Sequence, residues 1–108
     1  MAVYMLHAAY TGEGWAQLAK DPRKGTERIA RRLRELGGTL IHLYYCFGEY
    51  DSVVIFEAPD EATAAAFPIS FAVPGFLKSI KTTSLITIEE AVEAMRRAAE
   101  AAERNDLD

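Results

Sequence analysis

The chain has 108 residues, half of them hydrophobic and about a quarter charged. That length is one domain, the composition is globular rather than disordered, and no apolar run is long enough to span a membrane. The net charge of −4 argues against a general nucleic-acid binder, although seven of the twelve basic residues fall between Lys20 and Arg34.

Val3 to Tyr10 reads as strand one, apolar nearly throughout and therefore covered on both faces. It has no basic leader or cleavage pattern, so it is not read as a signal peptide. Thr11-Gly12-Glu13-Gly14 breaks it, and Trp15 to Ala19 suits a short helical turn. Asp21-Pro22 opens a helix, because Asp accepts backbone N–H bonds and Pro fits the first turn. Ile29, Leu33 and Leu36 lie on its apolar stripe, and Gly37-Gly38 ends it. The basic cluster sits on this helix. Glu27 stands four residues before Arg31, the pairing of a solvated helix face.

Thr39 to Phe47 is strand two and Tyr50 to Ala58 strand three. A two-residue Gly48-Glu49 turn of type II′ joins them. Asp60 caps a second, alanine-rich helix, which Pro68 is expected to end or kink. After the Pro74-Gly75 turn, Phe76 to Ile86 is strand four. Thr87-Ile88-Glu89-Glu90 is a capping box for a last helix reaching about Arg104. Ile88, Ala91, Val92, Met95, Ala98, Ala99 and Ala102 mark its buried side. The domain is therefore residues 1–104, followed by a polar tail, 105–108. The order β-α-β-β-α-β with a C-terminal helix is α+β and ferredoxin-like. It implies a four-stranded antiparallel sheet in the order 4-1-3-2 with helices on one face.

The turn fixes the register. Tyr44 opposes Val53, His42 opposes Ile55 and Cys46 opposes Asp51. Alternation then puts Ile41, Leu43, Tyr45, Phe47, Val54 and Phe56 on the helix-covered face. The other face carries His42, Tyr44, Cys46, Asp51, Val53, Ile55 and Glu57. Uncovered, it would be a large apolar patch, which a second copy would bury in a two-fold dimer.

The stretch Gly48-Glu49-Tyr50-Asp51, followed by Val53-Val54-Ile55-Phe56-Glu57-Ala58-Pro59-Asp60, resembles the signature of the GYD domain family. So do Tyr4, Tyr10-Thr11, Gly37-Gly38, Lys81-Thr82 and Ser84-Leu85. The resemblance implies a ferredoxin-like fold of the dimeric α+β barrel type, and it carries no established activity. The Phe67 to Phe76 segment departs from the pattern, with two prolines where a continuous helix and short turn are usual.

Candidate chemistry lies on the mixed face. His42 is the first choice for a general base, since imidazole titrates near neutrality. The plain alternative is a hydrogen-bonded interface histidine. Asp51 is a second candidate base, beside Tyr50, or else a cap for the hairpin turn. His7 shares the face but lies one strand further off, about 10 Å from His42. Cys46 reads as a quiet thiol beside Asp51 rather than a nucleophile. It cannot close an internal disulfide, which fits a reducing cytoplasm. Tyr44 and Trp15 offer rings for stacking, and Thr82 and Ser84 offer hydroxyls. No P-loop, dinucleotide glycine motif or zinc spacing is present, so no metal or other cofactor is assigned. The expectation is a homodimer holding a small organic molecule between its sheets. The alternative is a non-catalytic interaction module, with the Phe67 to Phe76 segment docking a partner.

Overall fold

The computed structural model describes residues 1–104. Its elements are β1 (Ala2–Tyr10), α1 (Gly12–Lys20), α2 (Pro22–Glu35), β2 (Thr39–Tyr45), β3 (Ser52–Ala58), α3 (Glu61–Ala72), β4 (Leu77–Leu85) and α4 (Ile88–Arg104). The tail expected over residues 105–108 lies outside the described residues. The sheet order is β2-β3-β1-β4, the expected order read from its other edge, and every neighbouring pair is antiparallel. The fold is ferredoxin-like α+β.

Each helix start has its cap. Thr11 accepts from the Gly14 amide, Asp21 from Lys24 and Asp60 from Thr63, at 3.0, 3.3 and 2.7 Å. Thr87 and Glu90 exchange two bonds at 3.0 Å, the expected capping box. Gly37, at φ 97°, takes the left-handed position beyond α2.

The core lies between the sheet and α2 and α3. Tyr4, Leu6, Val54, Phe56 and Ala58 face Leu33, Ala64 and Phe67. Phe56 meets Tyr4 in a stack at 5.5 Å and Phe67 edge-on at 5.2 Å. Burial of a large apolar side chain contributes about 1.5–3 kcal/mol, so this cluster dominates the fold's stability.

The structure corrects the expectations for the hairpin and for the segment before α2. The hairpin is not a two-residue turn: β2 ends at Tyr45 and β3 starts at Ser52, so residues 46–51 form a six-residue connection. Phe47 at its tip is fully exposed instead of core-facing. Upstream, the β2–β3 register shifts between Leu40 and His42. Ile41 is left over and exposed, and Leu40 packs on the core in its place. The segment before Asp21 is a full nine-residue helix rather than a single turn.

Pro68 neither ends nor breaks α3, which continues to Ala72. An interior proline costs about 3 kcal/mol. Here Pro68 is buried, as is Phe67, whose ring meets Phe71 edge-on at 6.0 Å.

The largest departure is α4. Its apolar stripe is expected to shield the same face as the other helices, yet none of its residues is buried. Ile88 is 80% exposed, Val92 56% and Met95 63%. The chain therefore measures 59 × 26 × 22 Å, with a radius of gyration of 17.6 Å. A closed domain of this length has about 13 Å. The stripe is present as expected, but among the described residues none of it is buried.

Candidate functional site

Two surfaces of the sheet invite a ligand, and the register assigns residues to each. On the open face, β1 contributes Val3, Met5 and His7, β3 contributes Val53, Ile55 and Glu57, and β2 contributes Thr39, His42 and Tyr44. On β4, Lys81, Thr83 and Leu85 sit beside His7, Met5 and Val3. Val3, Met5, His7, Val53, Ile55 and Leu85 are all half-buried, while His42 and Tyr44 are exposed. This is an apolar surface with titratable groups at its margins.

The hairpin connection gives this face its relief. Gly48 adopts φ 129°, which turns the chain back. Tyr50 then lies over His7, ring centroids 5.3 Å apart. The Nδ1 atom of His7 is buried and has no hydrogen-bond partner among the described residues. An unpaired buried polar atom costs about 1–3 kcal/mol, so His7 is where an added donor or acceptor gains most. On the neighbouring strand, His42 and Tyr44 stack at 5.9 Å.

Asp51 is committed elsewhere. Its carboxylate accepts the Tyr10 amide at 2.8 Å, and its own amide donates to the Ala8 carbonyl at 2.8 Å. The β1–β4 register shifts at Ala9/Tyr10, the same end of β1. Asp51 therefore supplies an acceptor where the regular ladder slips. It neither caps the hairpin turn nor points its carboxylate at His42. The Cys46 amide donates to the Asp51 carbonyl at 2.9 Å, and the Cys46 thiol donates to the Tyr50 carbonyl at 3.2 Å. Glycine, tyrosine and aspartate of the signature thus turn the connection, cover His7 and fasten the hairpin to β1.

The remaining candidates scatter. His42 lies opposite Ile55 and His7 opposite Val53, so a two-residue offset adds to the intervening strand. The two rings start about 12 Å apart. Thr82 and Ser84 pair with Leu6 and Tyr4, which puts them on the helix side, away from both histidines. Trp15 is on the helix side too, edge-on to Tyr10 at 4.9 Å. Tyr4 is buried, its hydroxyl donating to Glu61 at 3.2 Å. The open face thus gathers His7, His42, Tyr44 and Tyr50, and Cys46 borders it.

The second surface was missed by sequence reasoning. Between the covered face and α1, α2 and α3 lies a cavity of about 100 Å³. Leu6, Val54, Leu18, Ile29, Phe67 and Phe71 line it, with Arg28 and Arg32 on α2 among its walls. The Tyr10 hydroxyl, also lining it, donates to Ser52 Oγ at 2.8 Å. Burial pushes the Tyr10 hydroxyl up to about 12, so it remains a donor. Gly14 lets α1 approach β4: a Cβ there would collide with the Phe76 carbonyl. The readable signal was the spacing of Arg28 and Arg32, four apart on one helix. The rest depends on α1 and α3 meeting over the sheet.

The model of the GYD domain matches residues 4–95. The glutamine synthetase and cystathionine beta-lyase binding protein of Thermus thermophilus is 31% identical over 91 residues, which is 84% of this chain and 93% of that one. Among solved structures, MtbAldR superposes with a TM-score of 0.54 at 15% identity, over 80% of this chain and 53% of its own. This chain thus spans about half the length of that protein. TTHA0845, also of Thermus thermophilus, gives a TM-score of 0.51 at 12% identity, over 81% of this chain and 95% of its own. At such identities the structural likenesses concern the fold alone. Among the described residues no helix is long and apolar enough to cross a membrane.

Proposed function

The chain belongs to the GYD domain family, and from that premise we propose that it works as a homodimeric binding protein. The open sheet faces of two copies close on each other. A small organic molecule is held at the margin of the closure by His7, His42, Tyr44 and Tyr50. One observation carries this reading: Val3, Met5, Val53, Ile55 and Leu85 form an apolar surface that no helix among the described residues covers. The unpartnered stripe of α4 supports it, since a helix along a partner's surface would bury what one chain leaves wet.

Binding is favoured over turnover by how the acid and the thiol are used. The Asp51 carboxylate holds the Tyr10 amide, and the Cys46 thiol is bonded to a backbone carbonyl. His42 and the unpaired Nδ1 of His7 are the groups left to meet a ligand's polar atoms.

The test pairs light scattering with a ligand screen by thermal shift. The wild type should run as a dimer at tens of micromolar, and Ile55→Asp as a monomer. A ligand that stabilises the wild type but not His42→Ala locates the site. A monomeric wild type overturns the reading.

The relative that binds two enzymes favours a second reading, an adaptor that docks on a partner enzyme through the α4 stripe. Capture of purified glutamine synthetase by the wild type but not by Val92→Glu would decide for it.

A further inference from the structure

We propose that the cavity beneath α1, α2 and α3 is a separate binding site for a short aliphatic carboxylate, the chain inward and the carboxylate on Arg28. This goes beyond the dimer reading, because the cavity lies on the other face of the sheet.

Three observations lead to that ligand. The first is the walls. Leu6 and Val54 from the sheet, Leu18 and Ile29 from the first two helices, and Phe67 and Phe71 from α3 are hydrocarbon throughout. The Tyr10 hydroxyl is already bonded to Ser52. Gln17 also lines the cavity but is only half-buried, so an apolar chain against these hydrocarbon walls strands no fully buried polar group.

The second is size. The cavity measures about 100 Å³, and an apolar cavity of about 150 Å³ takes benzene in another protein. In proportion, roughly four carbon atoms fit here.

The third is charge. Lys24, Arg28 and Arg32 follow one another at four-residue spacing, so α2 carries a basic row with no acid in it. Arg32 is engaged: it donates to the Ser70 carbonyl at 3.1 Å and lies 4.5 Å over the Phe71 ring. Arg28 lines the same cavity, is exposed, and makes no ion pair among the described residues. A hydrocarbon slot beside an uncommitted guanidinium fits a monoanion with an apolar tail.

The experiment is calorimetric titration of the full chain with pentanoate, with pentan-1-ol as the uncharged comparator. Saturable pentanoate binding in the millimolar range is expected, with the alcohol at least about tenfold weaker. Arg28→Gln should weaken pentanoate about tenfold and leave the alcohol unchanged. Leu18→Phe, which narrows the slot, should abolish both while circular dichroism stays native. Ile55→Asp should bind pentanoate like the wild type, which keeps this result independent of dimerisation. No saturation by tens of millimolar, equal affinity for acid and alcohol, or an unaltered Arg28→Gln would each overturn the proposal.

Discussion

The two faces of one sheet obey different rules. On the covered face, Phe56 is 0% exposed and Val54 3%, both finished by helices of the same chain. One residue away along β3, Val53 and Ile55 are half-buried among titratable neighbours. β3 is equally rich in branched and aromatic residues on both sides, so propensity does not separate them. What separates them is whether the chain has a helix to lay over each. Three helices go to one face, and the fourth projects from the domain without covering the other.

The sharpest way to break this comparison is to truncate one residue on each side. Phe56→Ala should cost about 3–5 kcal/mol at any protein concentration, because its cavity opens inside one chain. Ile55→Ala should cost about 1 kcal/mol in dilute solution and more as concentration rises, as the proposed dimer, in which its partner is another copy, requires. Urea melts at two concentrations read both numbers. Equal, concentration-independent losses would show that the open face is closed some other way.

Next in size is the bond that joins the faces at their common edge. Asp51→Ala removes the acceptor of the Tyr10 amide, a charge-assisted bond. Loss of such a bond costs about 1.5–3 kcal/mol. Hydrogen exchange should then quicken at Tyr10 and in residues 46–51, while β2–β3 protection away from the connection stays. A uniform loss across the sheet would refute this local role.

A smaller effect is expected on α4. Val92→Glu should leave the unfolding of the isolated chain within about 0.5 kcal/mol, because the residue touches no core. It should weaken self-association about tenfold, measured by sedimentation. An unchanged dimer would detach α4 from the interface.

The same division explains what could be read in advance. Caps and periodicity are local, so the order of the strands with α2, α3 and α4, the capping box and the pairing of His42 with Ile55 were legible, whereas α1 was read as a single turn. The bulge beside Ile41 was not, since an extra residue leaves no mark in an apolar run such as Leu40-Ile41. Nor was Asp51's bond to Tyr10, which needs β1 and the hairpin placed together. Thr82 and Ser84, expected beside the histidines, lie on the helix side instead, because nothing local ties the alternation of β4 to that of β1. The cavity was invisible for a like reason: Leu18, Arg28 and Phe71 come from three helices. The stripe of α4 is plain in the sequence, but a stripe does not say whether its cover is in the same chain.

The smallest effect separates a docked helix from an undocked one by pH. The Thr87 amide, donating to Glu90, holds that carboxyl below its ordinary 4.5, and the Thr63 amide holds Asp60 below its ordinary 3.8. Both are depressed in the folded state. Their contributions are therefore present above those ordinary values and fade as pH falls through the lower folded ones. For α3 the loss should stay hidden, because Phe67 and Ala64 hold the helix in the core. For α4 the Thr87 hydroxyl still accepts the Glu90 amide, but among the described residues no core packing backs that turn, so acid should fray it. Far-ultraviolet circular dichroism should lose a small helical component as pH falls below Glu90's ordinary 4.5, while the near-ultraviolet signal of Trp15 and Tyr10 persists. Glu90→Ala, which removes the acceptor of the Thr87 amide, should show the frayed signal at neutral pH and little further change in acid. If the acid loss shrinks as protein concentration rises, α4 is being held by a second copy; if it does not, the helix stands free even in the assembled protein.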